Sequence, residues 1–158
     1  MRPRLQGSGE LFRFADDGVL VLANERDARR VMEVLPKRFA KFGLGLHPEK
    51  TRMVPFRPKK KRSQTGEHAR SFDFLGFRLH WAKGRRGGWV VKTKTAPPRL
   101  QRFLDRVQAY CARYRHRPIT EQHGQLSRML QGHYGYFGLP GNRRALARVR
   151  HHTYRIWA

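Results

Sequence analysis

Two neighbouring carboxylates, Asp16 and Asp17, stand in Phe14-Ala15-Asp16-Asp17-Gly18, between the β-prone runs Leu11–Phe14 and Val19–Leu22. Paired carboxylates supply hard oxygen ligands for Mg²⁺, which is commonly held by one or two such groups together with water and substrate phosphates. Two ions held this way clamp the attacking and leaving oxygens of a phosphoryl transfer. Asp-Gly also belongs in tight turns for conformational reasons alone, and taken by itself this segment favours that plainer role. Lys50 follows His47-Pro48-Glu49 and could approach a triphosphate or pyrophosphate as a charge or proton donor; the plain alternative is a solvated surface lysine. Phe72-Asp73-Phe74-Leu75-Gly76-Phe77 interleaves aromatic residues with a glycine. There Phe74 and Phe77 suit sheet packing, while Leu75-Gly76 lets backbone come close to a ligand. Arginines recur at Arg99, Arg102, Arg106 and Arg113, and again at Arg143, Arg144, Arg148, Arg150 and Arg155. His133, Tyr134, Tyr136 and Phe137 could stack on bases or pack in a core.

The charge balance favours a polyanionic partner for these arginines. The 158 residues carry 35 Lys plus Arg against 11 Asp plus Glu, a formal net charge of +24. The excess is uneven: residues 1–60 hold 14 basic and 7 acidic side chains, residues 61–158 hold 21 and 4. Few acids are present to neutralise the C-terminal arginines, so phosphate contact is expected mainly from that part. One Cys cannot form an internal disulfide or a Cys-pair zinc site. The eight His form no convincing metal set, and Cys111 reads as a core residue on an apolar helix face. No apolar run reaches the length of about 18 residues that marks a membrane-spanning helix, and the N-terminus lacks the apolar centre of a signal peptide.

The elements that must position these residues are legible in outline. Residues 1–9 are polar, basic and Gly-rich, and read as loose. The runs on either side of Ala15-Asp16-Asp17-Gly18 predict a β-hairpin. Asn24, with Asp27 three residues on, can cap a helix that runs to Phe42 through Ala28, Val31, Met32, Leu35 and Phe39. Pro36 predicts a kink or restart in it, and Gly43 a stop. Leu44–Leu46 and Met53–Phe56 read as two short strands, and residues 57–70 as a basic loop. Residues 71–81 read as one strand, with Phe72 and Phe74 facing one way and Phe77 the other unless Gly76 bulges. Gly84-Arg85-Arg86-Gly87-Gly88 then turns into the partner strand Trp89–Lys94. After Thr95-Ala96-Pro97-Pro98 the period changes. Leu100, Phe103, Leu104, Val107, Tyr110, Cys111 and Tyr114 mark one face of a helix. A second helix, capped by Thr120, carries Leu126, Met129, Leu130 and Tyr134. A third, capped by Asn142, carries Leu146, Val149 and Ile156. The expected fold class is α+β.

Taken in order, four blocks carry a resemblance. Leu11–Leu22 looks like the palm hairpin of reverse transcriptases. Phe42-Gly43-Leu44-Gly45-Leu46-His47-Pro48-Glu49-Lys50-Thr51 resembles the block that follows it in group II intron reverse transcriptases. Phe72–Phe77 is similar to their primer-grip strands. Gly132-His133-Tyr134-Gly135-Tyr136-Phe137-Gly138, with Gly141-Asn142, resembles their thumb or maturase region. The resemblance implies an intron-encoded RNA-directed DNA polymerase and maturase that binds intron RNA, promotes its splicing and copies RNA into DNA with Mg²⁺. It implies Asp16 and Asp17 as catalytic, metal-binding carboxylates, with Phe14 where the family usually has Tyr, and Lys50 near the nucleotide. Phe74, Leu75, Gly76, Arg99, Arg102, Arg106, Arg143, Arg144 and Arg148 are implied as nucleic-acid contacts.

The domain organisation expected from it is a loose segment 1–9, a partial palm with primer-grip strands over 10–95, and a helical thumb over 96–158. The family also has fingers and an earlier palm strand with a further metal-binding Asp, and nothing before Leu11 resembles them. The expectation is therefore the C-terminal portion of such an enzyme. It would have an unpaired sheet edge, a separate N-terminal half as a possible partner alongside intron RNA and an RNA/DNA primer-template, and doubtful catalysis alone. A cytoplasmic ribonucleoprotein is the implied setting. The alternative is a non-catalytic RNA-binding splicing factor or truncated remnant. A basic structural protein of a ribonucleoprotein would explain the charge but not the ordered blocks.

Overall fold

The computed structural model describes residues 5–58 and 71–158. Within these the chain forms two compact units, Met1–Pro55 and Phe56–Ala158. The boundary expected from the sequence lies at 95/96 instead, which would leave the primer-grip strands with the hairpin. Beyond Pro58, the basic loop expected over 57–70 lies outside the described residues, as do residues 1–4.

The first unit opens with strands β1 (Gly9–Phe14) and β2 (Asp17–Leu22), paired antiparallel with Phe14 opposite Asp17. The connection is two residues, Ala15 and Asp16, with Ala15 at φ 51°. Asp17 is thus the first residue of β2 rather than part of the turn. Helix α1 (Glu25–Ala40) follows and runs through Pro36 without interruption, where the sequence predicts a kink or restart. The Asn24 side chain makes no capping hydrogen bond to the helix. Asp27, expected as its capping partner, instead accepts the backbone N–H groups of Gln6 (3.1 and 3.2 Å) and Gly7 (2.9 Å).

Asp27 is the one buried side chain among the described residues of this unit. It fastens residues 6–7, and the Ala23 N–H donates to the Ser8 carbonyl (3.0 Å), so this stretch is not loose as its composition suggests. The strands expected at Leu44–Leu46 and Met53–Phe56 do not form. His47-Pro48-Glu49-Lys50-Thr51 closes a turn through Thr51 N–H to His47 C=O (2.9 Å), and Pro48, Pro55 and Pro58 carry no N–H for a ladder.

In the second unit, strands β3 (Ser71–Phe74), β4 (Phe77–Lys83) and β5 (Trp89–Thr95) form an antiparallel sheet in that order. The single strand expected over 71–81 is therefore a hairpin. Leu75 (φ 50°) and Gly76 (φ 79°) both take left-handed backbone, the two-residue turn whose twist suits a tight β-hairpin. Glycine takes this conformation freely; Leu75 takes it at a steric cost. Phe74 now faces Phe77 across the ladder and Phe72 faces Leu79. Cross-strand partners share a face, so Phe72, Phe74 and Phe77 lie together, contrary to the single-strand reading. Phe56 packs on that face against Phe72 (5.0 Å) and Trp81 (5.4 Å).

Three helices follow: α2 (Pro97–Tyr114), α3 (Ile119–Phe137) and α4 (Arg143–Trp157). Their apolar stripes meet in a core of Phe103, Val107, Leu126 and Val149. Leu100, Leu104, Met129, Leu130, Tyr134, Ile156 and half-buried Cys111 pack around it. Burial pushes the Cys111 thiol up from its ordinary value. Helix α3 begins after Pro118, so Thr120 lies in its first turn and is not the cap.

Asn142 holds the N-cap position of α4 as expected, but its side chain makes no capping hydrogen bond to the helix. Fully buried, it accepts the Thr95 N–H on Oδ1 (2.9 Å) and donates from Nδ2 to Thr95 Oγ1 and to the Phe137 carbonyl, both at 2.8 Å. One amide joins the end of the sheet, the last turn of α3 and the start of α4.

Candidate nucleic-acid interface and carboxylate pair

A cleft of about 290 Å³ lies in the second unit. One wall is α2, presenting Arg99, Arg102 and Arg106. Spacings of three and four residues place these on one helix face, about 4.5 and 6 Å apart along the axis. The other wall is the Leu75-Gly76 turn with Tyr136 of α3, and buried Phe103, His133 and Phe137 complete the lining. Two bonds hold the turn in place: the Gly76 carbonyl accepts the Ala96 N–H (2.9 Å) and the Leu75 carbonyl accepts the Tyr136 hydroxyl (2.9 Å). The three arginines supply the cationic groups of the cleft, beside the apolar side chains of Leu75, Phe103 and Phe137. None of the three arginines has an ion-pair partner among the described residues. A row of unneutralised guanidiniums is suited to phosphate, which they can meet in bidentate geometry.

Five residues singled out by the sequence are thus brought together: Leu75, Gly76, Arg99, Arg102 and Arg106. Phe74 is not among the cleft residues; it is half-buried on the sheet. Arg143, Arg144 and Arg148 are exposed on α4 and do not line the cleft either. Arg143 and Arg144 occupy the first turn of α4, which has no acid. Cations there oppose the helix dipole, at a typical cost of about 0.3–1 kcal/mol each, so they do not serve helix stability.

Of the four residues suited by type to base stacking, only Tyr136 has an exposed ring, resting on Phe77 at 5.7 Å. His133 and Phe137 are buried and Tyr134 packs against the core. Nothing in the local sequence assigns Phe103 or Tyr136 to a cleft wall. Gly76 is the one local signal of the turn that organises it.

The carboxylate pair lies in the first unit. Asp16 is in the two-residue turn and Asp17 at the start of β2, both exposed and without an ion pair among the described residues. Among the described residues no group of three or more His, Cys, Asp or Glu is placed to hold a metal ion. Two exposed carboxylates can share one Mg²⁺ with water and phosphate oxygens. They fall short of the fixed ligand set of a two-ion centre. Lys50 lies in the turn closed by Thr51 and is exposed, with no hydrogen bond or ion pair to either Asp.

An acid-tipped hairpin with its helix and a sheet-and-helix unit with an unneutralised arginine row define a chain suited to phosphate-bearing polymers. Residues 4–79, a little under half of the chain, match the model of the reverse transcriptase (RNA-dependent DNA polymerase) family. That stretch, from the N-terminal tether through the hairpin and α1 into β4, is therefore reverse-transcriptase-like, and nucleic acid is the partner class of such a domain. No curated protein and no solved structure gives a significant match. No helix among the described residues is long and apolar enough to cross a membrane.

Proposed function

We propose that the chain acts on RNA as a group II intron-type reverse transcriptase and maturase, within a cytoplasmic ribonucleoprotein. The observation that carries the RNA-binding reading is the row Arg99, Arg102 and Arg106, without an ion-pair partner among the described residues, in one cleft with the Leu75-Gly76 turn. A strand seated there would place phosphates against α2 and a nucleotide against the turn, the role the resemblance gives to a primer grip. Arg143, Arg144 and Arg148 would add a second basic surface for intron RNA. Asp16 and Asp17 would supply carboxylates to a Mg²⁺ centre whose remaining donors come from a separate reverse-transcriptase half. In that setting Lys50 would approach the incoming nucleotide.

The second reading is a non-catalytic RNA-binding splicing factor. The absence of a third metal-binding donor near the carboxylate pair, among the described residues, favours it.

The test has two arms. In a salt titration of RNA binding, replacing Arg99, Arg102 and Arg106 by Ala should lower the slope of log K against log salt. The decrease should be up to about 0.7 for each single-strand phosphate that no longer meets a guanidinium. Unchanged slope and affinity would remove the cleft from the interface. In primer extension with Mg²⁺, product from the parent chain but not from Asp16→Asn/Asp17→Asn supports the polymerase reading. RNA binding with no product from either selects the splicing-factor reading.

A further inference from the structure

Tyr136 is a large aromatic residue left in the open, 56% exposed on the wall of the arginine cleft. Its hydroxyl donates to the Leu75 carbonyl (2.9 Å), and its ring stacks on Phe77 with centroids 5.7 Å and planes 19° apart. Phe137 stands 4.8 Å from Tyr136 and 5.1 Å from Phe77. These three separations close a triangle, so Phe137 sits beside Phe77 rather than across the tyrosine ring from it. Neither covers the opposite face, which is left to solvent. An apolar ring face gains by leaving water, so this one is available to a ligand. Arg99 stands beside it. The Leu75 carbonyl meets the Tyr136 hydroxyl, and a Cβ placed on the next residue, Gly76, would lie 3.5 Å from Cγ of Arg99. Adjacent Cα atoms are about 3.8 Å apart, so the tyrosine and the first arginine of the row meet at one two-residue turn. A phosphate and a base carried on the same sugar can be taken together there. The cleft, at about 290 Å³, is at the lower edge of the roughly 300–1,000 Å³ of small-ligand sites, which suits one nucleotide unit rather than a base-paired segment.

We propose that Tyr136 is a stacking platform for an unpaired base of the strand whose phosphate lies on Arg99, making this cleft a site for single-stranded nucleic acid. Every base has a π-face, so the platform is indifferent to sequence. It does require a base splayed out of its stack, which a loop or a strand end supplies and an intact duplex does not. The hydroxyl bond to Leu75 and the stack on Phe77 set the ring in place before a ligand arrives, so little side-chain freedom is lost on binding. The inference rests on the nucleic-acid reading of the cleft and adds the base to it.

The test compares two single-stranded RNA oligomers of equal phosphate number on the intact chain, one of uridines and one abasic throughout, by fluorescence anisotropy across a salt series. The abasic oligomer keeps every phosphate contact, so both should give the same salt slope. The parent should bind the uridine oligomer about 5- to 150-fold more tightly, the range for one base stacked on an aromatic side chain. Tyr136→Phe keeps the ring and should retain most of that preference. Tyr136→Leu should lower the uridine oligomer to the abasic level and leave the affinity for the abasic oligomer unchanged. A ring that only props the turn would make Tyr136→Leu weaken both oligomers together. That result, equal affinities in the parent, or a preference that survives Tyr136→Leu overturns the inference while leaving the cleft reading intact. No salt-dependent binding of either oligomer defeats the cleft reading itself. Should Tyr136→Leu fail to fold, a short uridine oligomer with 2-aminopurine at its centre tests the parent directly. Stacking on the ring should quench its emission at saturation, and unchanged emission overturns the proposal.

Discussion

Replacing Asn142 by Ala tests the architecture of the second unit most directly. The native amide satisfies the Thr95 N–H, the Thr95 hydroxyl and one lone pair of the Phe137 carbonyl, all at 2.8–2.9 Å and at a site 1% exposed. The Phe137 carbonyl keeps a second donor, the Leu139 N–H at 2.8 Å, and the Thr95 hydroxyl can rotate. The Thr95 N–H has neither recourse. An orphaned buried donor costs about 1–3 kcal/mol and a lost neutral hydrogen bond about 1 kcal/mol. With the small void left by truncation, the expected loss is about 3–4 kcal/mol, a large fraction of the 5–15 kcal/mol typical of a whole domain. In urea, with a slope of about 1–3 kcal/mol per molar, the midpoint should fall by at least about 1 M. Thr95→Val removes only the hydroxyl and should cost about 1 kcal/mol. In the Asn142→Ala background it should cost much less, because its partner is already gone. The assay is urea unfolding followed by far-UV circular dichroism for the parent, both single variants and the double variant. A loss below about 1 kcal/mol for Asn142→Ala, or strict additivity of the two changes, would refute the reasoning.

Gly76→Ala should destabilise the chain by about 1–2 kcal/mol, the cost of a left-handed backbone for an L-residue, because Gly76 has φ 79°. Gly87→Ala, at φ 78° with open space around it, measures that strain alone. An excess at Gly76 reports the 3.4 and 3.5 Å approaches to Phe137 and Arg99, and no loss at Gly76 would contradict the turn geometry. For pH, burial holds the folded His133 pKa below its ordinary 6.5. The unfolded chain therefore takes up a proton below about pH 6.5 that the folded chain refuses, and stability should fall as pH drops through that region. His133→Phe should remove that component of the acid sensitivity, seen as a shallower fall in thermal midpoint between pH 7 and 5; an identical profile would count against a buried neutral imidazole. The Asp27 carboxyl is held below its usual range by the Gly7 and Gln6 backbone N–H groups. Its contribution is present above pH 3.8 and lost on further acidification, so Asp27→Asn should flatten the acid limb of unfolding of the first unit.

Short-range chemistry is legible in the amino-acid order. Apolar residues at spacings of three and four make α2, α3 and α4 readable, because a helix repeats every 3.6 residues whatever it packs against. The Asp16-Asp17 pair at a hairpin and the β4–β5 hairpin follow from local turn chemistry in the same way. Several of the positions where the structure departs from the sequence reading have partners that no local periodicity announces. Asp27 reads as a capping residue but finds Gln6 and Gly7, about 20 positions away. Asn142 holds the N-cap position it reads for, but its side chain finds Thr95, 47 positions away, instead of the helix N–H groups. Leu44–Leu46 and Met53–Phe56 have strand-like composition, but a strand requires a ladder partner and none is present among the described residues. Residues 71–81 alternate as one strand would, and only pairing back through Leu75-Gly76 shows two strands with their phenylalanines on one side. The cleft is the same case. Arginine spacing puts Arg99, Arg102 and Arg106 on one helix face, but tertiary packing brings the Leu75-Gly76 turn opposite them and buries His133 beside them. Residues far apart in sequence become one site only through the packing that closes the chain.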